Sequence, residues 1–200
     1  MIVKVCGMRD SENIRQVEAL RPDWLGFIFW PKSSRYVSEL PAYIPIHTKR
    51  VGVFVNEDIE TVRQTAVDYA LDIIQLHGHE SPEYAANLHE WKIVKAISVS
   101  SRDDIITYKN YEGLVDYFLF DTKCKTVGGS GQQFDWSVLE AYDGRTPFLL
   151  SGGIGPDDAD RVRAFHHPQC IGIDLNSRFE TAPGLKDVHK LKEFIKKIRQ

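Results

Sequence analysis

The chain has 200 residues, a formal net charge of −3 and 42% apolar residues, which suits one domain with a large core. The acidic balance and the lack of a basic tract argue against nucleic acid as a partner, and no apolar run is long enough to cross a membrane. The three cysteines lack the spacing of a zinc site or a disulfide framework, and the N-terminal residues lack a signal-peptide layout. Composition therefore predicts reduced thiols and a cytoplasmic location.

Short β-branched and aromatic runs bounded by turn residues predict eight strands. They cover residues 2–6, 24–29, 50–55, 72–76, 92–97, 117–120, 147–150 and 170–174. Helical spacing is found at residues 11–20, 57–68, 101–108, 134–140, 156–165 and 188–199, with a short helix expected within 38–46. Ser11 is the expected N-cap of the first helix, and Ser81-Pro82-Glu83 opens another with proline at its first position.

Strand and helix alternate about eight times, with a mean repeat of roughly 25 residues, which predicts parallel strands joined by crossover helices. The predicted fold class is α/β, a single (β/α)8 TIM barrel with parallel strands, and residues 1–200 form one domain. An open doubly wound sheet is the structural alternative. The turn after the first strand, Gly7-Met8-Arg9-Asp10, lacks the GxGxxG pattern that such sheets usually carry there.

Several predicted strands place polar side chains inward near their carboxyl ends, where barrel enzymes keep their chemistry. These residues are Lys4, Cys6, Gln75, His77, Asp121 and Asp174. Each also has a purely structural reading: a small buried thiol for Cys6, a satisfied histidine for His77, a turn cap for Asp121. Lys4 and Asp174 lie on neighbouring strands of a closed barrel, so they are candidates for an ion pair. No chemical role is expected for Cys124 and Cys170.

Glycine-rich and cationic loops follow other strands. Ser151-Gly152-Gly153-Ile154-Gly155 follows the seventh strand and Asn176-Ser177 follows the eighth, and in this fold these two loops commonly hold a phosphate. The loop after the second strand contains Arg35, whose planar guanidinium suits a carboxylate. Together they predict a substrate with two anionic ends.

These motifs resemble those of the phosphoribosylanthranilate isomerase family of tryptophan biosynthesis. The resemblance covers residues 4–7, 26–29, 31–37, 51–56, 75–78, 120–123, 128–131, 134–136, 150–153 and 183–187. It implies a small barrel without metal or organic cofactor and a phosphorylated small-molecule substrate, in a monomer or homodimer. It also implies an Amadori rearrangement with Cys6 as general base, Asp121 as general acid and Arg35 on the anthranilate carboxylate.

One segment departs from the family pattern. The family usually has Asp-Val-Ser-Ser-Gly after the eighth strand, whereas this chain has Asp174-Leu175-Asn176-Ser177-Arg178. Asn176 can still offer a side-chain donor, whereas the charge of Arg178 either serves the phosphate or faces solvent.

Three other functions compete with this one. The histidine-pathway Amadori isomerase is the nearest, but the resemblance there implies an aspartate where this chain has Cys6. A Schiff-base aldolase would use Lys95 or Lys123. A non-catalytic phospholigand-binding barrel would not need both Cys6 and Asp121.

Overall fold

Eight parallel strands close into a barrel in chain order in this computed structural model, which describes residues 1–122 and 136–200. The strands are β1 (Ile2–Cys6), β2 (Trp24–Ile28), β3 (Lys49–Phe54), β4 (Ile73–Leu76), β5 (Lys92–Val99), β6 (Tyr117–Thr122), β7 (Phe148–Ser151) and β8 (Cys170–Leu175). The pairing of β1 with β8 closes the barrel, with Lys4 opposite Asp174. The predicted fold class is confirmed, and the predicted strands agree with these bounds to within two residues.

The barrel interior is apolar in its lower part and polar at the carboxyl ends of the strands. Seven buried side chains fill the lower part: Trp24, Val51, Ile73, Val94, Ala96, Leu119 and Leu149. Because inward positions recur every second residue, the next inward positions carry Cys6, Gln75, Asp121, Ser151 and Asp174. A larger apolar cluster lies between the sheet and the helices. The core thus supports the polar layer from below and from outside.

Helices and short 3-10 turns cover the outside of the barrel. The helices are α1 (Ser11–Glu18), α2 (Ile59–Asp68), α3 (Pro82–Ala86), α4 (Arg102–Ile105), α5 (Ala159–Ala164) and α6 (Val188–Ile198). The 3-10 turns are Ile106–Asn110, Trp136–Ala141 and Ser177–Phe179. None of the helices in the described part of the chain has the length and apolar composition needed to cross a bilayer.

Several predicted helix bounds were wrong. Asp10, not Ser11, caps α1, because its side chain accepts a hydrogen bond from the Asn13 N–H at 2.8 Å. The helix predicted at 156–165 begins only at Ala159. The stretch 101–108 is split between α4 and a 3-10 turn, and the first two residues of the stretch 134–140 lie outside the described residues. Ser81 caps α3 with Pro82 at its first position, as predicted.

The short helix predicted within 38–46 is absent from this described segment, which has no regular structure. Pro41 and Pro45 lack the N–H group that a helix needs and restrict the residue before each of them. The loop is held instead by the carboxylate of Glu18, which accepts hydrogen bonds from the N–H groups of Ile46 at 2.9 Å and His47 at 2.7 Å. Side-chain contacts therefore replace the expected helix.

A small antiparallel hairpin, not predicted from the sequence, follows the barrel. It is formed by β9 (Glu180–Ala182) and β10 (Leu185–Lys186) and leads into α6. The side chain of Asn13 on α1 holds Lys186 by its backbone, accepting from its N–H at 2.7 Å and donating to its carbonyl at 2.9 Å. The hairpin is thereby fixed beside the carboxyl end of β1.

Candidate functional site

A cleft of about 230 Å³ opens at the carboxyl ends of the strands. Its lining residues include Cys6, Gln75, His77, Asp121, Gly152, Gly153, Asp174, Asn176, Ser177 and Arg178. Nine of the ten residues that the sequence predicted for the site therefore line one cleft. The tenth, Arg35, lies beside it. A wider hollow of about 930 Å³ lies at the opposite end of the barrel, around Trp24 and Lys49, and contains none of these residues.

Cys6 sits at the end of β1, with only 4% of its surface exposed. Burial raises the pKa of its thiol and Asp174 adds to this, while the nearby Lys4 and Lys186 ammonium groups oppose the rise. Lys4 is fully buried, and its ammonium donates to Asp174 Oδ1 at 2.8 Å. Burial lowers the pKa of Lys4, but the charges of Asp174 and Cys6 outweigh it and the net direction is upward. The predicted Lys4–Asp174 candidate pair is thus present, directly beneath the thiol.

His77 lies between Gln75 and Asp121. Its Nδ1 is 2.9 Å from the Gln75 amide nitrogen, and its Nε2 is 3.6 Å from Asp121 Oδ2. If the amide donates to Nδ1, neutral imidazole carries its proton on Nε2, which faces the carboxylate. The side chain of Asp121 is 20% exposed and that of His77 31%. The pair therefore remains open to a molecule in the cleft.

The turn after β7 and the segment after β8 form one end of the cleft. Gly152 and Gly153 have φ values of 96° and 68°, a left-handed conformation that glycine adopts without strain. Arg178 faces this turn: a Cβ added to Gly155 would lie 3.2 Å from its Nε. Among residues 1–122 and 136–200, no carboxylate forms a salt bridge with Arg178. Arg178 lines the cleft and is also exposed to solvent, so both roles that the sequence left open remain predictions.

Arg35 reaches towards the cleft from the loop after β2 and passes over Gly7. A Cβ added to Gly7 would lie 2.7 Å from Arg35 Cδ, so no larger residue fits there without displacement. The guanidinium makes a two-pronged ion pair with Glu180, with Nε donating to Oε1 at 2.8 Å and Nη2 to Oε2 at 2.6 Å. Lys186 also donates to Glu180 Oε1, at 2.7 Å. Burial raises the pKa of Glu180, but hydrogen bonds from these two cations outweigh it and lower the value to about 2.

Sequence reasoning missed the parts that Glu180 and Lys186 play in this arrangement. The motif at 183–187 was noticed, but no role was given to it. The signal that could have found them is their opposite charge: a glutamate and a lysine occur in a short segment after the last strand.

Another buried Lys–Glu pair lies outside the cleft: Lys95 is buried between sheet and helices and donates to Glu80 at 2.8 Å. Lys95 thus faces away from the cleft, which argues against a Schiff-base aldolase using it.

Other predicted motifs cannot be placed. Lys123, Cys124, the glycine-rich stretch 128–131 and residues 134–135 lie outside the described residues. Within the described ranges, no three or more His, Cys, Asp or Glu side chains are grouped so that they could hold a metal ion.

Comparison with known proteins gives a consistent picture. The profile of the family described as N-(5'phosphoribosyl)anthranilate (PRA) isomerase matches residues 3–197. An N-(5'-phosphoribosyl)anthranilate isomerase from Parabacteroides distasonis is 51% identical over 206 aligned positions, which cover 99% of this chain and 93% of that protein.

Solved structures agree with this match. A structure of monomers generated from the dimeric phosphoribosylanthranilate isomerase of Thermotoga maritima has a TM-score of 0.83 and 33% identity, covering 100% of this chain and 99% of the other. Another phosphoribosylanthranilate isomerase structure, in complex with reduced 1-(o-carboxyphenylamino)-1-deoxyribulose 5-phosphate, gives the same TM-score, 0.83, and identity, 33%, with coverage of 100% and 99%.

Proposed function

The chain belongs to the N-(5'-phosphoribosyl)anthranilate isomerase family, and on that basis we propose how the residues around its cleft carry out the reaction. It is the isomerase of tryptophan biosynthesis that converts N-(5-phosphoribosyl)anthranilate into 1-(2-carboxyphenylamino)-1-deoxyribulose 5-phosphate. The observation that carries the proposed mechanism is that Cys6 and Asp121 line the same cleft as the glycine turn after β7.

Asp121 is the general acid and Cys6 the general base. Asp121 gives a proton to the ring oxygen of the ribofuranose, the C1–O bond opens, and a Schiff base forms at C1. Cys6 then takes the proton from C2, and the resulting enolamine tautomerises to the aminoketose. Two groups in one cleft can address these two atoms in turn. Burial raises the pKa of the Cys6 thiol, and only the thiolate can take the proton from C2.

Gln75 and His77 orient the acid and contact the sugar. The Gln75 amide, 2.9 Å from His77 Nδ1, fixes the imidazole ring, and the opposite nitrogen faces Asp121. Imidazole in this position can hydrogen-bond the Asp121 carboxyl group and so hold the acid towards the cleft. We assign both side chains to substrate binding, as the sequence predicted.

The two anionic ends of the substrate are held on opposite flanks of the cleft. Arg35 binds the anthranilate carboxylate through its Nη1 edge, since Glu180 occupies Nε and Nη2. Backbone N–H groups of the turn at Gly152 and Gly153 bind the phosphate. The segment after β8 completes this end, where Asn176, Ser177 and Arg178 supply donors and a cation, while Asp174 holds Lys4 in place.

Several properties follow the family rather than particular contacts. We propose one domain over residues 1–200, a cytoplasmic location suited to a biosynthetic enzyme, and a monomer or homodimer. We propose no nucleic-acid partner, because the chain is acidic and without a basic tract. No metal or organic cofactor is assigned a part in the reaction.

Fluorescence loss of phosphoribosylanthranilate with purified protein tests the mechanism. Cys6→Ser and Asp121→Asn should each lower kcat by about 10²–10⁴-fold with the fold intact, which is the usual contribution of a general acid or base. Cys170→Ser is the matched control, because Cys170 is a free thiol that does not line the cleft. Near-normal turnover in Cys6→Ser would remove the base assignment, and in Asp121→Asn the acid assignment.

A further inference from the structure

A cluster of charged side chains lies against Gly7, just after the end of β1, whereas the Lys4–Asp174 pair lies between the strands β1 and β8 themselves. Its centre is Lys186, whose side chain is fully buried and whose Nζ donates to Glu180 Oε1 at 2.7 Å and to Asn176 Oδ1 at 2.7 Å. The Nζ lies only 3.4 Å from the position that a Cβ on Gly7 would occupy, and Gly7 follows Cys6 in the chain. A buried ammonium group thus abuts the backbone that carries the thiol.

The position of this ammonium group is fixed from several sides. Asn13 clamps the Lys186 backbone with two hydrogen bonds, of 2.7 Å and 2.9 Å. Glu180 is held in turn by the Gly184 N–H at 3.1 Å and by the Arg35 fork. A side chain restrained in this way has little freedom to move its charge away from the thiol.

The two groups of charged residues near Cys6 differ in net charge. Lys4 and Asp174 cancel each other, so that pair carries no net charge. In the cluster around Lys186, two cations, Arg35 and Lys186, share one carboxylate, that of Glu180. These three residues therefore carry a net charge of plus one. In the free protein, before the anthranilate carboxylate reaches Arg35, a thiolate at Cys6 would neutralise this surplus among largely buried groups, where an uncompensated charge is costly.

We propose that Lys186 is a positioning residue for the reaction, the cation that stabilises the thiolate of Cys6 and so supports its use as a base. This inference rests on the proposed role of Cys6. The direction of the electrostatics agrees, because Lys186 lowers the pKa of Cys6 against the effect of burial. Burial lowers the pKa of Lys186, and Glu180 and Cys6 oppose this without outweighing it, so the net direction is downward. The hydrogen bond to the Glu180 carboxylate favours the charged ammonium form.

Other charged groups also face the thiol and must be considered together with Lys186. They are Lys4 on β1, Asp174 on β8 and Arg35 from the loop after β2, with His77 and Asp121 across the cleft. Lys4 acts in the same direction as Lys186, while Asp174 acts against it. Removing the charge of Lys186 should therefore lower the fraction of Cys6 that is present as thiolate without abolishing it.

The test is a titration of the thiolate at Cys6, followed by its ultraviolet absorbance. Each protein is measured as the difference from the same protein carrying Cys6→Ser, so that Cys124 and Cys170 cancel. Lys186→Met keeps the length of the side chain and removes the charge. It should reduce the thiolate fraction at a fixed pH by on the order of tenfold, the effect of one nearby charge at partial screening. Lys186→Arg, which restores a cation, should recover most of that loss.

Further variants separate electrostatics from folding. Lys186→Gln can still donate a hydrogen bond without a charge, and it replaces the methionine variant if that protein does not fold. Lys192→Met removes an exposed lysine of α6 and should leave the titration unchanged. A Lys186→Met or Lys186→Gln protein that loses activity or stability while the Cys6 titration stays as in the wild type would overturn the proposal. If Cys6→Ser were active, the base assignment would fail and the catalytic role of Lys186 with it. The titration does not depend on turnover, so an unchanged Cys6 titration in the Lys186 variants overturns the proposal even where the base assignment stands.

Discussion

The ionised carboxylate of Glu180 should stabilise the folded protein at neutral pH, and this contribution should be lost over a defined range of acidic pH. The side chain of Glu180 is 5% exposed, and its carboxylate accepts hydrogen bonds from Arg35 and Lys186. These bonds lower its pKa in the folded protein from 4.5 to about 2. A carboxyl group whose pKa is depressed on folding contributes stability above its unfolded value. That contribution is lost as the pH falls through the folded value.

The size of the effect follows from the shift. Each unit of pKa difference between the folded and unfolded protein corresponds to about 1.36 kcal/mol, so a shift from 4.5 to about 2 is worth roughly 3 kcal/mol. Glu180→Gln should therefore unfold about 3 kcal/mol more easily than the wild type at neutral pH. The gap should narrow below pH 4.5 and close near pH 2, where Glu180 of the wild type is also protonated.

Urea unfolding, followed by tryptophan fluorescence at a series of pH values, measures this gap. Other carboxylates also lose stabilising contacts in acid, but they do so in both proteins and cancel in the difference. Glu193→Gln, at an exposed position of α6, is the control and should track the wild type throughout. A gap between wild type and Glu180→Gln that stays constant from neutral pH to pH 2 would show that the substitution acts through packing, and the charge argument would be refuted.

Two further predictions concern the cations at the phosphate end and within the barrel. Arg178→Ala should raise KM, and the inhibition constant of inorganic phosphate, about tenfold with kcat little changed, because one charge-assisted hydrogen bond is worth about 1.5 kcal/mol. Steady-state kinetics measure both constants, and an unchanged KM would mean that Arg178 does not bind the phosphate. Asp174→Leu should cost about 3–5 kcal/mol in denaturant unfolding, because it leaves Lys4 buried without its counter-ion. Adding Lys4→Met should restore most of that loss, whereas a double variant as unstable as the single one would contradict the ion-pair explanation.

The barrel was predictable from sequence because its strands are short apolar runs between turn residues, and alternation with helices leaves few topologies. The polar side chains that point into the barrel near the carboxyl ends of the strands were predictable from strand alternation. Because β1 and β8 are neighbours in a closed barrel, Lys4 and Asp174 were candidates for an ion pair, and the strands do pair with these two residues opposite each other. The two prolines within 38–46 were the reason to expect only a short helix there, but Pro41 and Pro45 leave no helix at all. The contacts that hold this segment instead come from the carboxylate of Glu18, 28 and 29 residues away in the chain, which no local pattern indicates.

The contacts around Arg35 could not be predicted. Glu180 is 145 residues away in the chain, and it lies on a three-residue strand too short to produce a periodic pattern. The hairpin that contains it is placed by Asn13, a polar residue on a helix face that sequence reasoning treats as surface. The orientation of Arg178 depends equally on the turn geometry after β8, which the departure from the family pattern left open. Long-range side-chain pairing of this kind needs coordinates.

The seam between β1 and β8 also has a consequence for how the enzyme folds. The Lys4–Asp174 bond joins residues 170 positions apart, so it can form only after almost the whole chain has been collected. Contacts of such high sequence separation carry the largest loop-closure entropy and tend to be made late. Until β8 docks, the Lys4 ammonium remains hydrated and the thiol of Cys6 lacks its buried surroundings. The recovery of activity during refolding therefore reports closure of the barrel, whereas the recovery of helix content reports only the earlier steps.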